Sequence, residues 1–196
     1  TSYSVEPKEF LKKLGLKEIV IIDDRSAYGQ GLAKQFEKSA TMAGAKIIRH
    51  EFSFDKASNF KSTLIGLKKL KVQGIFYGGT AIQAVPLVQQ MRELGIKATL
   101  LGADMLKVDS FTKNAGIAAE GTVVSVVGKP LQAMPGGLAF SQRYEKRFGI
   151  PTGSYAPYAY DSTVAMLTAM EKANSADPKK YLDYLAKTKI PAVTRK

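Results

Sequence analysis

The chain has 196 residues, 45% of them hydrophobic and 23% charged, which allows one large domain or one domain and part of a second. No run approaches ~20 uninterrupted apolar residues, so no membrane span is predicted. The absence of cysteine excludes disulfides, thiolate metal sites and cysteine nucleophiles. The single histidine, His50, excludes histidine acid–base pairs and multi-histidine metal sites, and we expect it on the surface of a strand. Neither a metal nor a cofactor is predicted.

The formal net charge of +12 first raises the hypothesis of a nucleic-acid partner. The lysines argue against it, because Lys12-Lys13, Lys68-Lys69-Lys71 and Lys179-Lys180 each fall within a helical pattern, on faces that should be solvated. No cluster interleaves aromatics and arginines as a groove for single strands does. The sequence therefore favours a basic, soluble surface and no nucleic-acid partner.

Residues 1–128 alternate between short apolar runs and helical periodicity. The predicted strands are 19–22, 46–54, 75–77, 99–102 and 121–127, and helical patterns lie over 32–43, 60–70 and 82–94. Strands that alternate with helices at this interval predict a parallel sheet with helices on both faces. We therefore expect residues 1–128 to form a complete, doubly wound α/β lobe that binds a ligand.

Residues 129–196 have a different sequence pattern, with helical periodicity and no predicted strands between the helices. Prolines and glycines at 130–137 mark a crossover, and amphipathic helices are predicted at 137–148, 161–174 and 178–187, the last with Asp177 as its N-cap and Pro178 as its first residue. No strand is predicted between them, although one could begin at 190–193. We interpret 129–196 as the crossover and helical part of a second, incomplete lobe.

The apolar stripes of these helices need a cover, because large apolar patches are rarely left in water. Three outcomes are open: the helices fold back on their own lobe, swap onto a second copy, or pack on a companion chain. We favour association with another chain through helices 137–187.

Ligands of doubly wound sheets bind beyond the carboxyl ends of the strands, which here selects residues 23–28, 54–55, 78–80 and 103–104. Tyr28 can pack on an apolar ligand body and donate one hydrogen bond, or can be purely structural. Gly78-Gly79 would let the backbone approach a ligand, and Thr80 either lines the site or only caps the next helix. Asp104 is suited to pair with an ammonium group, the alternative being a turn formed by its own side chain.

Two other motifs at this edge are only weak indications of a function. The Asp23-Asp24 pair is typical of phosphoacceptor domains, but the third strand ends without the acid that such a domain needs, and we expect these acids to cap loops or to pair with Arg25. The stretch at 28–31 lacks the glycine pattern of a nucleotide loop. Since no nucleophile–base pair is visible either, we predict that the chain is not an enzyme.

Several segments together carry a family resemblance. The run IIDDRSAYGQGLA at 21–33 resembles the branched-chain amino-acid (Leu/Ile/Val) binding proteins of bacterial ABC importers, and the later segments 55–60, 76–79, 101–104, 119–121 and 155–161 agree with it. The resemblance extends from about residue 14 to residue 193. It implies the type I periplasmic-binding-protein fold, in which two α/β lobes close on a ligand.

The resemblance also implies roles for individual residues. Tyr28 corresponds to a tyrosine that lines the pocket, and Asp104 to the acid that meets the α-ammonium group of the ligand. Thr80 departs from the family pattern, because leucine-type members carry an aromatic residue there, which leaves the exact amino acid open. The segment that clamps the α-carboxylate and the last crossover have no counterpart here, so the chain resembles a family member truncated at both ends.

The expected function is therefore that of a solute-binding component of an ABC importer, located in the periplasm or, outside the cytoplasm, associated with the membrane. It would capture a small amino acid in an interlobe cleft without any chemical reaction. It would then dock on the permease subunits of the importer. The competing hypothesis is a ligand-sensing regulatory or receptor domain of the same fold, including an amide-sensing regulator. A DNA-binding or transmembrane flank would distinguish that class, and neither is seen in this sequence.

Overall fold

The structure, a computed structural model, describes residues 7–126 and 128–195. The chain divides into two compact units, Thr1–Val127 and Gly128–Lys196. None of the helices in the described ranges combines the length and the hydrophobicity that a membrane span requires.

The first unit is built on a five-stranded parallel sheet with strand order β2-β1-β3-β4-β5. The strands are β1 (Glu18–Asp23), β2 (Lys46–Phe52), β3 (Gly74–Gly78), β4 (Thr99–Gly102) and β5 (Val123–Val124). The helices are α1 (Pro7–Leu14), α2 (Ala27–Met42), α3 (Lys61–Lys68), α4 (Ala81–Glu93) and α5 (Asp109–Ala115), with 3-10 turns at Asp104–Leu106 and Gly116–Ala119. This is the predicted doubly wound α/β architecture.

The apolar run of β1 explains why helices cover both faces of the sheet. Successive strand residues point to opposite faces, so Val20 and Ile22 join the core under α3 and α4, whereas Ile19 and Ile21 join the core under α2. All four side chains are fully buried. A strand buried on both faces has to be apolar throughout, as the run at 19–22 is.

The fifth strand is shorter than predicted. Residues 121–127 were expected to be extended, but the ladder contains only Leu101 paired with Val123 and Gly102 paired with Val124. Because β4 ends at Gly102, β5 has no further neighbour with which to pair, and Val127 lies outside the described residues. On the other side, Gly121 adopts a left-handed conformation with φ 75°, so the chain turns there and β5 begins only at Val123.

The regular elements in the described part of the second unit are all helical. It contains a 3-10 turn at Leu131–Ala133 and the helices α6 (Gly137–Phe148), α7 (Ala156–Ala173) and α8 (Pro178–Lys187). Asp177 caps α8 as predicted, since its carboxylate accepts the Lys179 N–H at 3.0 Å. The prediction for α7 was wrong at its start, because the helix begins five residues before residue 161. Pro157 is compatible with this start, since the first helical turn needs no N–H there.

No strand forms at 190–193; a buried carboxylate holds this segment instead. The oxygens of Asp161 accept the Val193 N–H at 2.8 Å, and the Thr194 N–H and hydroxyl at 2.9 and 2.7 Å. Burial alone would raise the pKa of Asp161, but these hydrogen bonds and the charge of Arg195 outweigh it and hold the pKa below its usual value. The ionised carboxylate therefore anchors the C-terminal segment to α7.

Helix α7 carries apolar side chains on more than one of its sides. One side carries the buried Pro157 and Ala169, while Tyr160, Met166 and Leu167 on other sides are 46%, 38% and 57% exposed. Contiguous apolar surface of this kind is normally covered by a partner. The described part of the second unit therefore presents an apolar face on α7, as the sequence predicted for its helices.

Replacing Asp161 with Asn should destabilise the second unit in a pH-dependent way. An amide can accept only at its oxygen, so at least one buried N–H loses its partner, at a cost of about 1–3 kcal/mol. Because the folded-state pKa of Asp161 is depressed, its contribution is present above the unfolded value of about 3.9 and lost as the pH falls through the folded value. Urea unfolding of both proteins between pH 2 and 7 should show curves that converge in acid. A pH-independent difference would contradict this account.

We predict that the apolar face of α7 leads the chain to associate through residues 137–187. Light scattering should show a mass above that of the monomer at high concentration, and Leu167→Glu should lower it. Ser162→Glu, on the same helix but outside the apolar set, is the matched control and should leave the mass unchanged. A monomer at high concentration whose α7 amides resist hydrogen exchange would show that association is not needed.

Candidate functional site

The start of α2 is pressed against the end of β3 by two glycines. A Cβ atom on Gly29 would lie 2.4 Å from the carbonyl oxygen of Gly78, and a Cβ on Gly78 would lie 2.5 Å from that of Gly29. Real Cβ contacts are never this short, so both positions need glycine. Gly31, in contrast, has open space around it. Close packing against the sheet therefore explains the glycine at position 29 but not the one at position 31.

A small hydrogen-bond network fixes the first turn of α2. Ser26 is the N-cap and its hydroxyl accepts the Gly29 N–H at 2.9 Å. The same hydroxyl donates to Asp24 Oδ1 at 2.6 Å, and the Ser26 N–H donates to that oxygen at 2.9 Å. Asp24 is almost fully buried, and its backbone N–H donates to the Gly78 carbonyl at 3.0 Å. The turn between β1 and α2 is therefore rigid, and Tyr28 projects from a fixed position.

Tyr28 and Asp104 meet at the carboxyl edge of the sheet. The Tyr28 hydroxyl donates to Asp104 Oδ1 at 2.9 Å, across 76 residues of sequence. Asp104 follows β4 at the start of a 3-10 turn and is 9% exposed, while Tyr28 is half-buried. The structure thus brings together two of the predicted site residues, and presents a carboxylate whose orientation is set by a phenol.

Gly78 and Gly79 have reasons internal to the fold for being glycine. Gly78 faces Gly29, and a Cβ on Gly79 would lie 2.7 Å from the ring of Tyr77. Tyr77 is fully buried, and burial raises the pKa of its phenol, which stays neutral. Both glycines lie at the carboxyl edge as predicted, but close packing explains them without a ligand.

Thr80 occupies the N-cap position of α4, but its side chain does not cap the helix, which was one of the two alternatives for this residue. Its hydroxyl instead lies 2.7 Å from Gln83 Oε1. Gln83 Nε2 donates to the backbone carbonyl of Asp55, and the Gln83 side chain is only 4% exposed. The Thr80 hydroxyl is thus directed toward the buried amide oxygen of Gln83, to which it donates.

A second glutamine on α4 binds the loop after β2, to which Asp55 also belongs. Gln90 Oε1 accepts the Phe60 N–H, and Gln90 Nε2 donates to the Ser58 carbonyl, both at 2.7 Å. Gln83 and Gln90 are seven residues apart and so lie on one face of the helix. Together they anchor the segment that follows β2 beside the candidate site. Sequence reasoning missed both, although two glutamines at this spacing in an apolar helix were the available signal.

The acid at the end of β1 has a different partner from the one expected. Asp23 Oδ2 lies 2.7 Å from His50 Nε2, and Asp23 Oδ1 accepts the Arg25 N–H at 2.8 Å. The Arg25 guanidinium instead lies 4.3 Å from the ring centre of Phe52. The prediction that Asp23 and Asp24 cap a loop is confirmed, while side-chain pairing with Arg25 is wrong. His50 lies on a strand as predicted but is partly buried by this contact, because β2 pairs directly with β1.

Two open crevices lie at the opposite, amino-terminal ends of the strands. They measure about 400 and 420 Å³; the first is lined by residues that include Lys68, Lys71 and Lys97, and the second by residues that include Arg92 and Lys97. Neither contains a predicted site residue. Since ligands of such sheets bind beyond the carboxyl ends, we place the candidate site at Tyr28 and Asp104.

Within the described ranges, no group of three or more histidine, aspartate or glutamate side chains could hold a metal.

These features define a parallel α/β lobe with a polar, acidic site at the carboxyl edge of its sheet. The family described as periplasmic binding protein matches residues 8–196, and the chain belongs to that family.

Individual relatives agree with this assignment. The chain is 27% identical over 169 residues to a leucine-, isoleucine-, valine-, threonine- and alanine-binding protein of Pseudomonas aeruginosa, covering 86% of this chain and 45% of the relative. It is 26% identical to a leucine-specific-binding protein of Salmonella typhimurium, covering 87% of this chain and 46% of the relative. The chain thus spans about half the length of the curated relatives it matches.

Solved structures agree in fold. A leucine-binding protein from Thermotoga maritima superposes with a TM-score of 0.83 at 23% identity, covering 94% of this chain and 54% of that one. A branched-chain amino-acid-binding protein from Streptococcus pneumoniae, solved with isoleucine, also gives 0.83 at 24% identity, covering 98% of this chain and 55% of that one. The predicted type I periplasmic-binding-protein fold is confirmed.

Gly29→Ala should destabilise the first unit, because the new methyl group would collide with the Gly78 carbonyl and with Asp24 Oδ1. We expect a loss of about 1–3 kcal/mol, typical of overpacking. Gly31→Ala is the matched control in the same helix and should stabilise by about 0.4–1 kcal/mol, as glycine replacement in a helix normally does. Chemical denaturation measures both. Equal effects would show that the contact between Gly29 and Gly78 is not limiting.

Proposed function

We propose that the chain is the solute-binding component of an ABC importer and that it captures a small amino acid at the carboxyl edge of its sheet. The observation that carries the proposal is the contact between Tyr28 and Asp104. A carboxylate that is largely buried and oriented by a phenol is a suitable partner for an α-ammonium group, because charge-assisted hydrogen bonds are roughly twice as strong as neutral ones.

The proposal gives each predicted site residue a part. Asp104 binds the ammonium group, and Tyr28 orients that carboxylate while its ring packs on the ligand. Thr80 and the Gly78-Gly79 backbone form the neighbouring wall, since β3 lies between β1 and β4. The relatives named for leucine, isoleucine, valine, threonine and alanine binding support a small amino acid of the branched-chain type or a similar one.

The rest of the proposal concerns cellular context. Membership of the periplasmic binding protein family supports an extracytoplasmic location and delivery of the ligand to permease subunits. It also supports a function without chemistry, in which a change of conformation on binding signals that the protein is loaded.

Asp104→Asn tests the proposal directly. Isothermal titration of the chain with the twenty amino acids should identify one or more ligands, and Asp104→Asn should weaken their binding by roughly 2–5 kcal/mol, because the ammonium group loses its countercharge. Asp109→Asn removes an exposed acid of the following helix, and as the matched control should leave affinity unchanged. The proposal fails if no amino acid binds, or if Asp104→Asn binds as tightly as the unmodified chain.

A further inference from the structure

The amide of Gln83 has only one chemically acceptable orientation. One end faces the backbone carbonyl of Asp55, which can only accept a hydrogen bond, so that end must be the NH₂ group. The other end, Oε1, therefore faces the Thr80 hydroxyl at 2.7 Å. Because this side chain is 4% exposed, water is not available to satisfy the opposite orientation.

This orientation decides what the Thr80 hydroxyl can do. A hydroxyl has one proton and two acceptor lone pairs. An amide oxygen can only accept, so Thr80 must donate its proton to Gln83 Oε1. Toward any other group, the Thr80 hydroxyl can therefore only accept hydrogen bonds, through its lone pairs. Thr80 cannot donate to a ligand while Gln83 holds its proton.

We propose that Thr80 is a specificity-determining residue that accepts a hydrogen bond from the side chain of the bound amino acid, and that Gln83 is the positioning residue that enforces this polarity. The inference rests on the proposed function, which assigns the ligand's ammonium group to Asp104. The ligand class that follows is a small amino acid with an O–H or N–H donor in its side chain, such as a hydroxyl or a carboxamide.

The spacing of the sheet supports this assignment. Thr80 follows β3 and Asp104 follows the neighbouring β4, and adjacent strands lie about 4.8 Å apart. Ammonium and side chain are two substituents of one α-carbon, so a ligand held by Asp104 can direct its side chain toward Thr80. A purely aliphatic side chain would leave the half-buried hydroxyl oxygen dehydrated without a donor, which costs affinity.

Near-isosteric ligand pairs test the inference. Threonine differs from valine, and asparagine from leucine, mainly by carrying a donor where the partner is apolar. Titration of the chain should show threonine and asparagine binding roughly 3- to 10-fold more tightly than their apolar partners, the size of one neutral hydrogen bond. Thr80→Val should abolish this ratio, while Thr80→Ser, which keeps the hydroxyl, should preserve it.

Gln83→Leu separates positioning from a merely structural role. O-Methylthreonine, an isostere of isoleucine whose ether oxygen can only accept, should bind no more tightly than isoleucine in the unmodified chain, but more tightly than isoleucine in Gln83→Leu, where the Thr80 hydroxyl is free to donate. A structural role alone would weaken both ligands equally and leave their affinity ratio intact. Circular dichroism confirms that each variant is folded.

The inference is overturned if the unmodified chain binds valine and leucine as tightly as threonine and asparagine, or if Thr80→Val leaves the ratios unchanged. In either case, a loss of binding in Asp104→Asn would still support the proposed function. If no amino acid binds at all, the proposed function and the inference about Thr80 are both wrong.

Discussion

The contact between Gly29 and Gly78 is the constraint on which the candidate site depends. Two backbones approach so closely there that neither residue can carry a side chain. The contact brings the first turn of α2 over the end of β3, and from that turn Tyr28 reaches across to Asp104. A bulkier residue at either position would lift the helix from the sheet and move the tyrosine away from the carboxylate.

Buried polar groups then convert this packing into a defined surface. Asp24 and Ser26 satisfy the N–H groups at the start of α2, while Gln83 and Gln90 anchor the loop after β2. An unpaired polar group in such places would cost more than the hydrogen bond itself contributes. Each amide and hydroxyl is therefore held in one orientation, which is why a donor and an acceptor can be assigned at Thr80. A site that discriminates between similar amino acids needs this kind of fixed polarity.

Much of this could be predicted from the sequence, because it depends on local patterns. The apolar run at 19–22, the helical periods and the rule that ligands bind at carboxyl ends together led to the fold and to Tyr28 and Asp104. The side-chain partners could not be predicted in the same way. The pairs formed by His50 with Asp23, and by Gln83 with Asp55, join residues about 28 apart, and no local pattern reports which side chains meet there. The contact of Gly78 with Gly29 could not be predicted either, since glycine permits a close approach without indicating what approaches. The short β5 is limited by the end of β4 at Gly102 on one side and by the left-handed turn at Gly121 on the other.

The central claim is that the carboxyl edge of the first unit binds an amino acid. Hydrogen–deuterium exchange of the chain, with and without a saturating amino acid, tests it residue by residue. The account predicts new protection at the turn before α2, at the start of α4 and around Asp104, with no change at the amino-terminal crevices near Lys71 and Lys97. Protection confined to those crevices, with the carboxyl edge unchanged, would contradict it.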